Sequence, residues 1–191
     1  KGSIFIDDTN INELELENLR QYMSIVLQDV FLFSDSILNN ITLYNKEITE
    51  QQVVAAAKKV GAHQFISKLP GGYNYDVKER GAMLSVGQRQ LISFIRAYVH
   101  NPQILILDEA TSSIDSESEE LIKHATSVLT QNRTSIIVAH RLSTIKNADK
   151  ILVIDKGEIV EEGSHAQLIQ IEGYYKKLYD YQFKSEQHTV F

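Results

Sequence analysis

The stretch Ile104-Leu105-Ile106-Leu107-Asp108-Glu109 decides the fold. Four successive apolar residues suit a central parallel strand buried on both faces. The acidic pair then falls at the strand's carboxyl end, where open α/β sheets place their ligands. One carboxylate there can hold a hydrated Mg²⁺, and the next can orient an attacking water. The same six residues also fit a buried strand running into a solvated turn, so the flanking sequence has to choose.

On the carboxyl side, Ala110 to Asp115 reads as a polar turn. Leu121, Ile122, Ala125, Val128 and Leu129 then recur at helical spacing. Ser135 to Ala139 is a second continuous apolar strand, ending at His140. A short helix over 142–147 precedes a strand at Ile151–Ile154, and Asp155-Lys156-Gly157 turns it back into Glu158-Ile159-Val160 as an edge hairpin. One tyrosine-rich helix is expected from about His165 to Tyr181, then a frayed end from Lys184. The tyrosines read as core packing or a dimer contact.

On the amino side, a helix carrying Leu91, Ile92, Phe94, Ile95 and Tyr98 ends at Asn101-Pro102. It opens at Leu84-Ser85-Val86-Gly87-Gln88. Helix amino termini bind anions through free amides, and a glycine there lets a phosphate come close. Further upstream, Ile4-Phe5-Ile6 is a short strand followed by a turn over Asp7–Asn10. Ser24–Leu27 is a second strand, ending in Gln28-Asp29. Ser34-Asp35-Ser36 starts a helix with Ile37, Leu38 and Ile41 on one face. Thr49 and Gln52 form a capping-box pattern, and Gly61 closes that helix. A helix over 62–68 is stopped by Pro70-Gly71-Gly72, and 73–80 reads as extended. Strands alternating with helices give an α/β sheet.

Bulk properties narrow the classes. The chain has 191 residues, 43% of them hydrophobic, enough for a sizeable core. Its net charge of -6 argues against a nucleic-acid footprint, which needs a basic face. With no cysteine, disulfides and cysteine-ligated metal sites are excluded. No apolar run approaches the roughly 18 residues of a membrane span. The chain opens on Lys1-Gly2-Ser3, not Met.

Taken in order, these motifs resemble the nucleotide-binding domain of ABC transporters, over essentially the whole chain. Gln28 matches the Q-loop, Leu84–Gln88 the signature motif, and Ile104–Asp108 Walker B. Glu109 matches the catalytic glutamate, Ser112–Asp115 the D-loop and His140 the switch histidine. Each motif alone is weak, but all of them in the family's order are specific. Glu79-Arg80-Gly81 resembles the X-loop of exporters; Val26–Asp29 with Phe31-Leu32-Phe33, and Gly173-Tyr174-Tyr175 with Leu178-Tyr179, are similar to multidrug or lipid exporters.

The resemblance implies a P-loop NTPase-like (RecA-like) α/β fold, a mainly parallel sheet with an inserted helical subdomain. Its boundaries would be a catalytic core at 1–34 and 101–183, a helical subdomain at 35–100 and a tail at 184–191. It implies ATP and Mg²⁺ as cofactors. Glu109, His140 and Gln28 would be catalytic, and Asp108 with Gln28 would face Mg²⁺. Ser85, Gly87 and Gln88 would grip the ATP of an opposite subunit, with Asp115 beside it. The partners implied are a transmembrane domain and a second nucleotide-binding domain, at the cytoplasmic face of a membrane, with no nucleic acid. Taken singly, most of these residues have plainer readings: a capping Asp, a solvated Glu, a structural His, an ordinary helix start.

Two departures stand out. Val86 replaces the family's usual Gly. No Gly-x-x-x-x-Gly-Lys-Ser/Thr occurs, and no Gly is followed by Lys. That loop supplies the amide cradle and lysine for the β- and γ-phosphates. The expectation is a sheet lacking its first strand and phosphate loop, with an uncovered apolar face, in a chain truncated at its N-terminus and inactive alone. The alternatives are a non-catalytic partner subunit that donates its signature helix, or a soluble ABC-type ATPase. The latter is disfavoured by the acidic balance and by the lack of a coiled-coil insertion or tandem domain.

Overall fold

A computed structural model describes residues 2–108, 116–139 and 142–188. They fall into two compact units, residues 1–138 and 139–191.

In the first unit, β1 (Phe5–Ile6) and β2 (Thr9–Asn10) form a small antiparallel hairpin, so the expected turn carries a second strand. α1 (Leu16–Tyr22) was not anticipated; it has no buried residue, hence no apolar stripe in the sequence. β3 (Met23–Val26), β4 (Ile104–Asp108) and β5 (Thr134–Val138) form a parallel sheet in the order β3-β4-β5, with β4 central. The α/β class with a mainly parallel sheet, as read from the sequence, is the fold observed.

Between β3 and β4 lie α2 (Ile37–Thr42), α3 (Glu50–Val60), α4 (His63–Lys68) and α5 (Val86–His100). α3 starts on the expected capping box. Thr49 Oγ1 accepts from the Gln52 amide at 3.3 Å, and Gln52 Oε1 accepts from the Thr49 amide at 2.7 Å. Gly61 ends it at φ 85°, a left-handed cap that a side chain would strain. The 73–80 stretch is not simply extended: single 3-10 turns at Gly72–Asn74 and Glu79–Gly81 flank an isolated bridge between Ser36 and Asp76.

α6 (Ser116–Thr130) packs against α5, and α5 against β3. Leu105 and Leu107 are buried in one core with Val26, Leu91, Ile92, Ile95, Ile122 and Leu129. Each such side chain contributes about 1.5–3 kcal/mol on burial. Burial on both faces, as the apolar run suggests, fails for the other parity, which instead forms the uncovered apolar face also expected of this sheet. Ile25, Ile106 and Ile136 share one register row on the opposite face. Ile25, Ile136 and Val138 are 57%, 55% and 52% exposed, and Ile106 is half-buried. Among the described residues of this unit, α5 and α6 cover the Leu105 and Leu107 face, so the apolar strands read as doubly buried while the side chains of the other face remain accessible.

In the second unit, α7 (Leu142–Lys146) precedes β6 (Ile151–Asp155) and β7 (Glu158–Gly163), paired antiparallel. Lys156 and Gly157 both have positive φ, 50° and 83°, as a two-residue hairpin turn demands. The single terminal helix expected here is two: α8 (His165–Leu168) and α9 (Tyr174–His188). Glu161 of β7 forces the restart, accepting from the amides of Tyr174 and Tyr175 at 2.6 and 2.9 Å. α9 runs through His188, past the expected fraying point. Of its tyrosines, Tyr175 is core, beside Val153 and Leu168, while Tyr174 and Tyr181 are exposed.

Candidate functional site

β3 and β4 run parallel with Val26 opposite Leu107. Asp108 lies one residue beyond that level and Gln28 two, so both leave the carboxyl edge of the same sheet. Gln28 is exposed and Asp108 half-buried. Asp108 also lines a cavity of about 10 Å³ with Gln90, Thr126, Phe94 and Leu107. That is room for a single water at most. Val138, opposite Asp108, ends β5 at the same edge. Glu109, Asp115 and His140 lie outside the described residues.

Ser85, Gly87 and Gln88 open α5. Ser85 Oγ accepts from the Gln88 amide at 3.1 Å, and Gln88 Oε1 accepts from the Ser85 amide at 3.0 Å. The capping box therefore occupies both side chains expected to grip phosphate. The amides of Val86 and Gly87 have no intrahelical acceptor and stand at the positive end of a 15-residue helix. Gly87 is buried, and Val86 is 42% exposed beside it. Gln90 and Phe94, in the second and third turns of α5, share the cavity of Asp108. The structure thus brings the start of α5 within two helical turns of the β4 tip.

The loop before α5 is fastened from within. Arg89 Nη1 donates to the Leu84 carbonyl at 2.6 Å. Lys78, Arg80 and Gly81 all take positive φ. A Cβ on Gly81 would lie 2.9 Å from Leu32 Cδ1 and 3.0 Å from Arg89 Cδ, so only glycine fits this close approach.

Sequence reasoning missed a polar cluster behind Gln28. Asn40 is fully buried, with Oδ1 accepting from the Phe33 amide at 2.8 Å and Nδ2 donating to the Phe33 and Ser36 carbonyls at 2.9 and 3.0 Å. Arg96 donates from Nε to the Asn40 carbonyl at 2.8 Å and from Nη2 to the Phe31 carbonyl at 3.4 Å. Burial lowers the Arg96 pKa, and burial also holds His100 below its ordinary value, with the Arg96 charge adding to it. Asp35 accepts from Tyr44 Oη, from the Ser36 amide and from Asn39 Nδ2, and these bonds hold its carboxyl below the usual range. The signal was there: Asn40 sits on the apolar face formed by Ile37 and Ile41, and Arg96 follows Ile92 by one turn.

Among the described residues, no three His, Cys, Asp or Glu side chains cluster as a metal cage. One carboxylate, Asp108, and one amide oxygen, Gln28, suit a cation that keeps much of its water, as Mg²⁺ does.

Comparison with known proteins gives this arrangement a context. Residues 1–112 match the family model for the ABC transporter. The chain is 49% identical over 190 residues to YheH, a probable multidrug resistance ABC transporter ATP-binding/permease protein of Bacillus subtilis, covering 100% of this chain and 28% of that protein. It is 51% identical over 181 residues to a putative multidrug export ATP-binding/permease protein of Staphylococcus aureus, covering 95% of this chain and 31% of that one. Among solved structures it superposes, with a TM-score of 0.86 and 40% identity, on a bacterial Atm1-family ABC exporter with ATP bound, covering 95% of this chain and 32% of the other. The chain therefore spans about a third or less of the length of these relatives. The match extends over more than half of its residues, and on that ground this chain belongs to the ABC transporter family.

Proposed function

We propose that this chain is the ATP-binding and ATP-hydrolysing motor domain of an exporter, working at the cytoplasmic face of a membrane. The observation that carries the reading is geometric: Gln28 and Asp108 leave one edge of a parallel sheet, and the amino terminus of α5 starts close to that edge. The likeness to multidrug ATP-binding/permease proteins supports the exporter assignment.

In this reading residues 1–34 and 101–183 form the catalytic core, 35–100 the helical subdomain and 184–191 a tail. Mg²⁺–ATP supplies the anhydride bond and the cation that neutralises developing charge. Asp108 holds that cation, directly or through water. Gln28 senses it and reports to a transmembrane domain on the same or a partner chain. Glu109 orients and polarises the attacking water, and His140 contacts the γ-phosphate. The Val86 and Gly87 amides, with Ser85 and Gln88, face the nucleotide of a second copy in a head-to-tail dimer, with Asp115 beside them. Two nucleotides close the dimer and hydrolysis reopens it.

The test uses the assembled transporter. Glu109→Gln abolishes turnover while nucleotide binding survives; unchanged turnover removes Glu109 from the mechanism. A second reading rests on the start of α5, where the Val86 and Gly87 amides have no intrahelical acceptor and are open to a partner's nucleotide. On it, the chain is a non-catalytic subunit presenting Ser85 and Gly87 to an intact partner. Both readings expect negligible hydrolysis by this chain by itself, and robust activity alone would contradict both. Hydrolysis restored at a partner's site, and lost when Ser85 is replaced, favours the second.

A further inference from the structure

We propose that Arg96 is a positioning residue that ties the chain leaving Gln28 to the helix opening at Ser85, so that the two move as one piece. The inference rests on the motor-domain reading of those two sites and adds the part that joins them.

Arg96 stands on α5, three turns below Ser85. Among the described residues it makes no ion pair. Its guanidinium reaches instead to main-chain carbonyls far upstream, Asn40 at 2.8 Å and Phe31 at 3.4 Å. Phe31 is only three residues beyond Gln28. Asn40 extends the grip, bonding the amide and carbonyl of Phe33 with its own side chain. On the other side of the same segment, buried Leu32 packs where Gly81 has no Cβ, and Arg89 fastens that turn to α5. Residues 31–36 are thus clamped from two sides, and both clamps belong to α5 or its leading loop. Residues 27–30, like 31–35, belong to no helix or strand, but none of Arg96, Asn40 and Leu32 lies among them or bonds to them. Gln28 lies in this short link between the sheet and the clamped block, so a shift at Gln28 is delivered to the block, and through Arg96 to α5.

Arg96 also has a plainer use. Asn40 and Ile41 stand near the end of α2, whose last carbonyls lack helical partners, and a cation there caps the helix. Capping alone would make Arg96 structural. Rate measurements separate the two, because a residue that acts through Gln28 has nothing left to act on once Gln28 is gone.

The experiment measures kcat and KM for ATP in the assembled transporter for Gln28→Ala, Arg96→Met and the double variant. Arg96→Met is expected to lower kcat roughly tenfold with KM unchanged, the signature of an interaction used in the transition state. The double variant is expected to be no slower than Gln28→Ala. Losses that multiply in the double variant overturn the inference and leave Arg96 a capping residue, with the motor-domain reading intact. A normal kcat for Gln28→Ala overturns the role of Gln28, and with it this inference. If Arg96→Met does not assemble, Arg96→Lys keeps the charge with a single donor group. Its smaller loss should vanish in the Gln28→Ala background, and a loss that persists there overturns the proposal.

Discussion

Asn40→Leu removes a buried hydrogen-bond hub while keeping the number and branching of its side-chain heavy atoms, so no cavity opens and the bulkier methyl groups can only add overpacking to the loss. Asn40 is 0% exposed and makes three well-formed bonds, at 2.8, 2.9 and 3.0 Å; a fourth contact, to the Asp35 carbonyl at 3.5 Å, adds little. The partners decide the cost. The Phe33 carbonyl also accepts from the Asp35 amide at 2.8 Å, and the Ser36 carbonyl from the Asn40 amide at 3.0 Å, so each keeps one donor. The Phe33 amide keeps none. One orphaned donor costs about 1–3 kcal/mol, and the two other bonds about 1 kcal/mol each, for a total of about 3–5 kcal/mol. With a urea slope of about 2–3 kcal/mol per molar, the unfolding midpoint falls by roughly 1–2.5 M. Hydrogen exchange gives the local readout, with the Phe33 amide losing its protection. If the midpoint moves by less than about 0.3 M and the Phe33 amide stays protected, the bonding scheme around Asn40 is wrong.

Three other changes are expected. Gly81→Ala forces a side chain to φ 70° and into Leu32, costing about 2 kcal/mol, and should lower Tm by roughly 4–8 °C in calorimetry. An unchanged Tm would show that the loop opens freely. Glu161→Ala frees the Tyr174 and Tyr175 amides at the start of α9, and a lost cap of about 1 kcal/mol should speed their hydrogen exchange roughly fivefold. Exchange at wild-type rates would remove Glu161 as the cap. Burial pushes the Tyr73 phenol up to about 12, above the ordinary tyrosine value of 10.0. The native state therefore holds this proton where the unfolded chain has lost it, so the stability contribution is intact below pH 10 and declines as pH rises toward about 12. Tyr44 and Tyr175 are also raised, so spectroscopic titration should show several late-ionising tyrosines, with a component at about pH 12 that Tyr73→Phe eliminates.

What the sequence disclosed follows the range of the forces involved. The capping box at Thr49–Gln52 satisfies backbone groups within one turn and forms with the residues read for it, while Ser85–Gln88 forms a second box where the sequence was read only as a helix start. The hairpin at Lys156-Gly157 is equally local. α1 escaped notice because it buries nothing and so leaves no periodic stripe. The break between α8 and α9 escaped because Glu161, thirteen positions before Tyr174, sets where α9 begins. The apolar run at 104–107 misled on burial, since hydrophobicity records what a residue tolerates, and which face receives helices is a tertiary matter.

The same distinction sorts the site. Gln28 and Asp108 follow strands, and strand register alone carries them to a common edge, so a reader who finds the strands finds these residues too. Ser85 and Gly87 follow a helix start and are as easily found. Arg96 and Asn40 appear in no such pattern, because their partners are carbonyls and amides, and every residue has those. A half-buried arginine with no carboxylate partner among the described residues looks like an error in a helical stripe until the carbonyls it serves are located 56 and 65 positions upstream. Motifs name the groups that meet a ligand, because ligand chemistry restricts residue type. The groups that join one motif to another answer only to backbone geometry, and many sequences can supply that. In this chain the machinery between Gln28 and Ser85 is built from just such anonymous contacts, so it emerges only when the fold is seen.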